Sequence, residues 1–340
     1  MDNPSTAQRW PRVTFTMPVL NAGALLEEAL KTIRAQDYPD VEIVVADGMS
    51  TDNTRDICRK YNCVIVDNVR VEAEIGVELA RERATGEFVF VMAADNGCPH
   101  PQWIKQMIAP FLDDPEVLGV YTRMVPAPED SSMNTYLCEL HVDPFTWFVF
   151  GNTAHPDHFG RAYPVLAEKG TYVVYQFNVR RFPLIAWAQG FGVRKSYQRD
   201  PATIGDDILP IIQMIEQGKR LAYVPKAGVY HHHLTGFKSF LKKYRARVLG
   251  NLYRRAFGMH NRTKYITRER KLRSYLWLIY GCTLIGPLLH ALLWFLRSGK
   301  LFWLWHFPAT VCLAYITVFE VLRFYLAKLF KPAKTQPSHE

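Results

Sequence analysis

Four short apolar runs, at residues 12–19, 41–46, 64–67 and 88–92, alternate with three stretches whose apolar residues recur at helical spacing. In the first such stretch, residues 24–36, these are Leu25, Leu26, Ala29, Leu30 and Ile33. The second and third are 54–61 and 73–85. Strand and helix repeated three times, followed by a fourth strand, predict an α/β domain with a mostly parallel, doubly wound sheet. The fourth run lies in GEFVFVMAADN, residues 86–96, between a turn glycine, Gly86, and an acid. Its unbroken apolar character predicts a strand covered on both faces. Ligands of open α/β sheets sit at the carboxyl ends of the strands. Asp47 closes the second run and Asp95 follows the fourth, so both carboxylates belong at that edge. An Asp among small residues there can hold a hard divalent cation shared with substrate phosphates. The plainer alternative is an Asp-Asn-Gly turn.

Beyond this unit, residues 102–111 read as a helix with Trp103, Met107 and Ile108 inward, and 117–121 as a strand. Residues 124–185 show no regular period and are rich in aromatics, His and Pro; the spacing of His141, His155 and His158 lacks metal-ligand regularity. In Ala188–Lys195, AQGFGVRK, two glycines allow either a close substrate approach or a simple turn beside a strand. Residues 203–209, with Asp206 and Asp207 among them, start an expected helix reaching residue 217, with Pro210 tolerated in its first turn. The acidic pair can serve the helix dipole alone. A strand over 221–230 then runs into His231-His232-His233.

Charge is concentrated in one block. Residues 237–273 carry 13 Lys and Arg against the single acid Glu269, while the whole chain is +9. Within 237–257, Phe237, Phe240, Leu241, Tyr244, Val248 and Leu252 recur at steps of three and four, with Lys and Arg between them. That pattern predicts a helix lying in a lipid headgroup region. Residues 274–296 and 301–319 carry no charge, and the first would span about 34 Å as a helix. They predict a membrane hairpin with Trp277, Trp294, Trp303 and Trp305 near the interfaces, one in-plane helix being the alternative. The basic block before and Lys328, Lys331 and Lys334 after place both ends in the cytosol. A basic block beside apolar segments points to anionic membrane, and no RRM, KH or zinc-finger pattern supports nucleic-acid binding. The six cysteines form no CxxC pair, which predicts reduced thiols. The first residues lack the apolar core of a secretory leader, so none is expected.

Residues 18–54, PVLNAGALLEEALKTIRAQDYPDVEIVVADGMSTDNT, resemble the opening of family 2 glycosyltransferases, inverting enzymes of GT-A fold. Residues 84–104, ATGEFVFVMAADNGCPHPQWI, resemble their DxD segment, and the likeness continues to about residue 235. The resemblance implies a Rossmann-like GT-A catalytic domain over 1–236; charge and hydropathy divide the rest into a basic interfacial region over 237–273, a transmembrane hairpin over 274–330 and a tail over 331–340. The resemblance places Pro18, Asn21, Asp47 and Asp95 at the nucleotide, and Gly190, Phe191 and Gly192 at the acceptor. Asp95 and His231 become ligands of a divalent cation, Mn²⁺ or Mg²⁺, and Asp207 the catalytic base supported by Asp206. The chain departs from the pattern at Ala93, which stands where DxD has its first Asp. The activity implied is transfer from a nucleotide-diphosphate sugar to a hydroxyl of a lipid-linked or glycan acceptor. It would take place at the inner or plasma membrane, with the catalytic domain cytoplasmic. The alternatives are a polyprenyl-phosphate glycosyltransferase, whose acceptor is already ionised and needs no base, and a nucleotide-binding pseudoenzyme.

Overall fold

The computed structural model describes residues 10–253 and 262–329. The expected end of the basic helix at 257, Lys331, Lys334 and the tail over 331–340 lie outside them. The β-α repeat forms as the periodicity predicts: β1 (Val13–Val19), α1 (Gly23–Arg34), β2 (Val41–Asp47), α2 (Thr54–Lys60), β3 (Val64–Asp67), α3 (Ala73–Arg83) and β4 (Phe88–Met92). β3, β2, β1 and β4 lie side by side and parallel. All five residues of β4 are buried, and alternation sorts them onto two cores. Phe88, Phe90 and Met92 face one core with Trp103 and Phe111, whereas Val89 and Val91 face the other with Val77. Neither face of β4 sees water, which is why the run shows no apolar-polar alternation.

The chain continues through β5 (Asn96–Gly97), α4 (Trp103–Asp113), β6 (Val117–Tyr121), β7 (Met124–Val125), α5 (Ser132–Leu140) and α6 (Pro144–Phe150). Then come β8 (Val165–Lys169), β9 (Tyr172–Tyr175), β10 (Gln189–Arg194), α7 (Leu209–Glu216), β11 (Arg220–Tyr223) and β12 (Val229–His231). The main sheet has nine strands, with β10 inserted antiparallel between β4 and β6. The expected single strand over 221–230 is two strands in different sheets. β11 joins the main sheet, and β12 forms a small sheet between β5 and β7. Gly228, at a φ of 61°, turns the chain between them. The expected helix from 203 is also shorter, starting at Leu209, and Asp206 and Asp207 precede it.

Among the described residues four α-helices follow: α8 (Phe237–Tyr253), α9 (Arg268–Cys282), α10 (Ile285–Ser298) and α11 (His306–Leu329). The segment 274–296 is not one straight span. α9 and α10 meet at 84°, with Leu284 between them at a φ of 66°. Pro287, in the first turn of α10, has no N–H for the carbonyl four residues back, so the helix cannot run through. Among the described residues, one helix, Leu301–Leu329, is long and apolar enough to cross a membrane, or two if the bent pair counts as one span.

The apolar stripe of α8 turns toward protein. Phe240 and Tyr244 share a core with Met133, Tyr136 and Leu137 of α5, Trp277 of α9, and Leu313 and Ala314 of α11. The buried His306 hydrogen-bonds the hydroxyls of Tyr136 (2.8 Å) and Tyr280 (2.9 Å). The Arg270 guanidinium lies between the rings of Phe150 and Phe182, 4.2 and 4.5 Å from their centroids. The C-terminal helices are therefore packed onto α5, α6 and the segment around Phe182.

Candidate active site

The small sheet builds the first half of the site. His231 on β12 pairs in register with Asn96 on β5, and the amide of His232 donates to the Asp95 carbonyl (2.8 Å). This crossing brings the end of β4 against the histidine run. His231 Nε2 lies 3.5 Å from Asp95 Oδ2 and 3.2 Å from His233 Nδ1. Asp95, His231 and His233 each offer one ligand atom, all within 4.8 Å of one another. His231 Nδ1 rests against Met124 Sδ at 2.9 Å, which aims the other ring nitrogen at the cluster. Burial works to raise the Asp95 carboxyl, but the hydrogen bond and charge of His231, with Lys243 and His233 behind, hold it at about 2. Burial, with His231 and Lys243 nearby, pushes His233 down to about 2. A carboxylate beside an imidazole kept neutral is the protonation state a divalent cation needs.

Ala93 removes a carboxylate, and Asn96 does not supply a replacement. Asn96 is 1% exposed, and its Oδ1 accepts from the Ala93 amide at 3.0 Å. It closes the turn after β4. His233 is the third donor instead. The histidine run was visible in the sequence, but which of its rings face Asp95 depends on the pairing of β12.

Asp206 and Asp207 come to the same place with different surroundings. Asp206 is 2% exposed. Its Oδ1 accepts from the amides of Ile208 (2.7 Å) and Leu209 (2.9 Å) at the start of α7. Arg262 Nε reaches its Oδ2 at 2.7 Å. Both carboxylate oxygens have partners, so Asp206 fixes the turn. Among the described residues the half-buried Asp207 carboxylate has one hydrogen bond, Oδ1 accepting from the Ala188 amide at 3.0 Å. Burial raises its carboxyl above the usual range, with Glu74 and Asp206 adding to the effect and the Ala188 amide and Arg262 opposing it.

A cavity of about 860 Å³ joins these groups. Asp207, Gln189, Glu74, His231 and His233 line it, together with Trp277, Leu278, Leu313 and Val321 of α9 and α11. Arg247 and Tyr244 of α8 lie along the same wall.

The remaining expected site residues do not line this cavity. Pro18, Asn21 and Asp47 gather at the ends of β1 and β2. Asn21 Oδ1 accepts from the Thr51 amide at 2.9 Å. Asp47 has no exposed surface, and its carboxylate accepts from the Ser50 amide (3.3 and 3.2 Å) and Arg55 (3.2 Å). Here it shapes the loop, while Pro18 and Asn21 are the more open members. The Gly190–Gly192 stretch corrects the acceptor expectation. Phe191 is wholly buried and stacks on Trp187, ring centroids 5.1 Å apart. A Cβ on Gly192 would lie 2.4 Å from Phe90 Cε1. These glycine and phenylalanine positions serve the sheet interior. Gly190, at a φ of 71°, marks the bulge where the register shifts between Gln189 and Phe191. Gln189, which lines the cavity, carried no signal in the sequence.

Comparisons with known proteins bear on the family and the fold. The model of the family described as glycosyl transferase family 2 matches residues 14–182. A validoxylamine A glucosyltransferase of Streptomyces hygroscopicus subsp. jinggangensis is 33% identical over 117 residues, 31% of this chain and 27% of that protein. A GalNAc(5)-diNAcBac-PP-undecaprenol beta-1,3-glucosyltransferase of Campylobacter jejuni is 28% identical over 93 residues, 25% of this chain and 30% of that protein. The match spans less than a third of either relative. In fold, the chain is similar to a mannosyltransferase of Pyrobaculum calidifontis solved with GDP-Man and Mn²⁺. The TM-score is 0.51 and the identity 18%, over 92% of this chain and 88% of that one. The chain has the GT-A fold and belongs to glycosyl transferase family 2.

Proposed function

We propose that this chain is a membrane-associated inverting glycosyltransferase that moves a sugar from a nucleoside-diphosphate sugar to a hydroxyl of a lipid-linked acceptor. The observation that carries the reading is the cavity. Its lining brings the Asp207 carboxylate and two histidines together with apolar side chains of α9 and α11, helices that also expose apolar side chains outward. A PP-undecaprenol acceptor in the name of one relative supports the same class.

Asp207 is the base. The Ala188 amide holds Oδ1, leaving Oδ2 to take the proton as the acceptor oxygen attacks the sugar's anomeric carbon. The bond from that carbon to the diphosphate breaks as the new one forms on the opposite face, which inverts the configuration. A carboxyl raised by burial is a stronger base than an exposed one. Asp95, His231 and His233 would hold a divalent cation, and two imidazoles in the donor set favour Mn²⁺ over Mg²⁺. Such a cation neutralises charge on a departing diphosphate. Asn21 and Pro18 border the nucleotide, and Asp206 keeps the Asp207 turn in place. The exposed apolar side chains Ile279, Leu289, Leu296, Leu301 and Phe319 give the C-terminal helices their bilayer contact, on the cytoplasmic side.

The test is transfer from a panel of radiolabelled nucleotide sugars to a bacterial lipid extract by the detergent-purified chain. One donor should label the organic phase with Mn²⁺ and not with EDTA. Turnover of no donor, or label that stays in the aqueous phase, overturns the reading.

A further inference from the structure

We infer that Arg247, with Lys243 one helical turn before it, forms a binding site for a phosphate or diphosphate carried by the acceptor lipid. The inference rests on the lipid-linked acceptor reading and names the group that reading leaves unplaced. The basic face of α8 divides into cations committed to buried carboxylates and cations held more loosely. Arg245 is taken by the buried Glu320, at 2.7 Å. Arg262, the other cation lining the cavity among the described residues, is held by Asp206. Arg247 is half exposed; among the described residues its one ion pair, to Asp143 Oδ2, is 3.5 Å long, and its guanidinium lies over the Tyr244 ring at 5.0 Å. Asp143 does not depend on that contact, because its oxygens already accept from the Thr146 amide (3.0 Å) and hydroxyl (2.8 Å) at the start of α6. Lys243 Nζ donates to His233 Nδ1 at 2.9 Å, at the edge of the cation-ligand cluster.

The position specifies the ligand. Arg247 lies where the cavity changes character. Tyr244 and Val248, its neighbours on α8, belong to the apolar core with Trp277 and Leu313, and the Asp207 charge acts on its guanidinium. A tail among the apolar side chains and a hydroxyl at Asp207 leave the linking phosphate at this junction. Residues four apart on a helix present both cations to one side. A guanidinium binds phosphate oxygens in a two-bonded fork, and an apolar wall strengthens that pair. The donor diphosphate belongs at Asp95, His231 and His233, so α8 supplies the acceptor's counter-charge.

The test uses the full chain in neutral detergent, with EDTA and no nucleotide, titrated calorimetrically with farnesyl diphosphate and with farnesol. Wild type should bind the diphosphate at least about 10-fold tighter than the alcohol, as one charge-assisted hydrogen bond is worth that much. Arg247→Gln should bring the diphosphate to the alcohol's affinity and leave the alcohol unchanged. Lys243→Gln should do so in part, and Arg247→Lys should restore part of the difference. UDP or GDP binding with Mn²⁺, measured in parallel, reports the donor site. If Arg247→Gln keeps the wild-type preference, the phosphate site is wrong while the acceptor reading stands. If wild type binds a nucleotide with Mn²⁺ but neither farnesyl compound, the lipid-linked acceptor fails and this inference with it.

Discussion

Replacing Asp207 by Asn should make the protein inactive and more stable at once. Asn keeps the size of the side chain, and its Oδ1 can still accept from the Ala188 amide, now 3.0 Å away. It cannot take a proton. Loss of a general base costs about 10²–10⁴ in rate with binding intact, so the fall should appear in kcat and leave donor affinity near wild type. The stability effect follows from burial, which raises the Asp207 carboxyl. Between the ordinary carboxyl pKa and the raised one, the folded chain keeps a proton that the unfolded chain has lost. Stability therefore falls as pH rises through that window and stays lower above it. The loss is about 1.4 kcal/mol for every tenfold by which burial weakens the acid. Asn carries no such penalty, so Asp207→Asn should melt higher than wild type at pH 7.5, and the gain should shrink as pH falls below the ordinary carboxyl range. Wild-type transfer should also decline in acid as the base is protonated, and that limb should vanish in any residual activity of the variant. Scanning fluorimetry from pH 4 to 8 and initial-rate assays with the accepted donor check both arms. Near wild-type transfer would mean the acceptor needs no base, as with an ionised phosphate. An Asn variant that melts lower at neutral pH would refute the burial argument.

Gly192→Ala should destabilise the chain by about 1–3 kcal/mol through overpacking, because its Cβ would meet Phe90 Cε1 at 2.4 Å and Val120 Cγ2 at 2.7 Å. Acceptor KM should not move; a KM change at unchanged stability would return this glycine to the acceptor. A chain ending at residue 236 should aggregate or lose its cooperative melt, since it exposes Met133, Tyr136 and Leu137, now buried against α8, α9 and α11. At about 1.5–3 kcal/mol for each such side chain, the loss approaches the whole stability of a domain. A monomeric, cooperatively melting 1–236 fragment would show that the C-terminal helices are an independent attachment.

The β-α unit was legible because a strand covered on both faces and an amphipathic helix leave different periods, and Asp47, Asp95 and Asp207 fall at its edges. Local pattern does not record what a pattern faces. The stripe of Phe240 and Tyr244 suits lipid and protein equally, and only the packing of α11 shows that it meets protein. Gly192 reads the same whether it makes room for a substrate or for the Phe90 ring. The run Leu221–Tyr230 is apolar enough for one strand, but Gly228 sends its ends to two sheets, and that division places His231 and His233 beside Asp95. The helical break at Leu284 was foreshadowed by Pro287, yet composition alone made 274–296 look continuous.

The claim on which the rest stands is that Asp95, His231 and His233 hold the cation that receives the donor diphosphate. Titration of the purified chain with Mn²⁺, with and without UDP and GDP, followed by the paramagnetic resonance of free Mn²⁺, tests it directly. Wild type should bind one ion per chain, more tightly with the cognate diphosphate. Asp95→Asn and His233→Ala should each weaken that ion about 10-fold or more, as loss of one charged or imidazole contact predicts. Unchanged Mn²⁺ affinity in both variants would contradict the account.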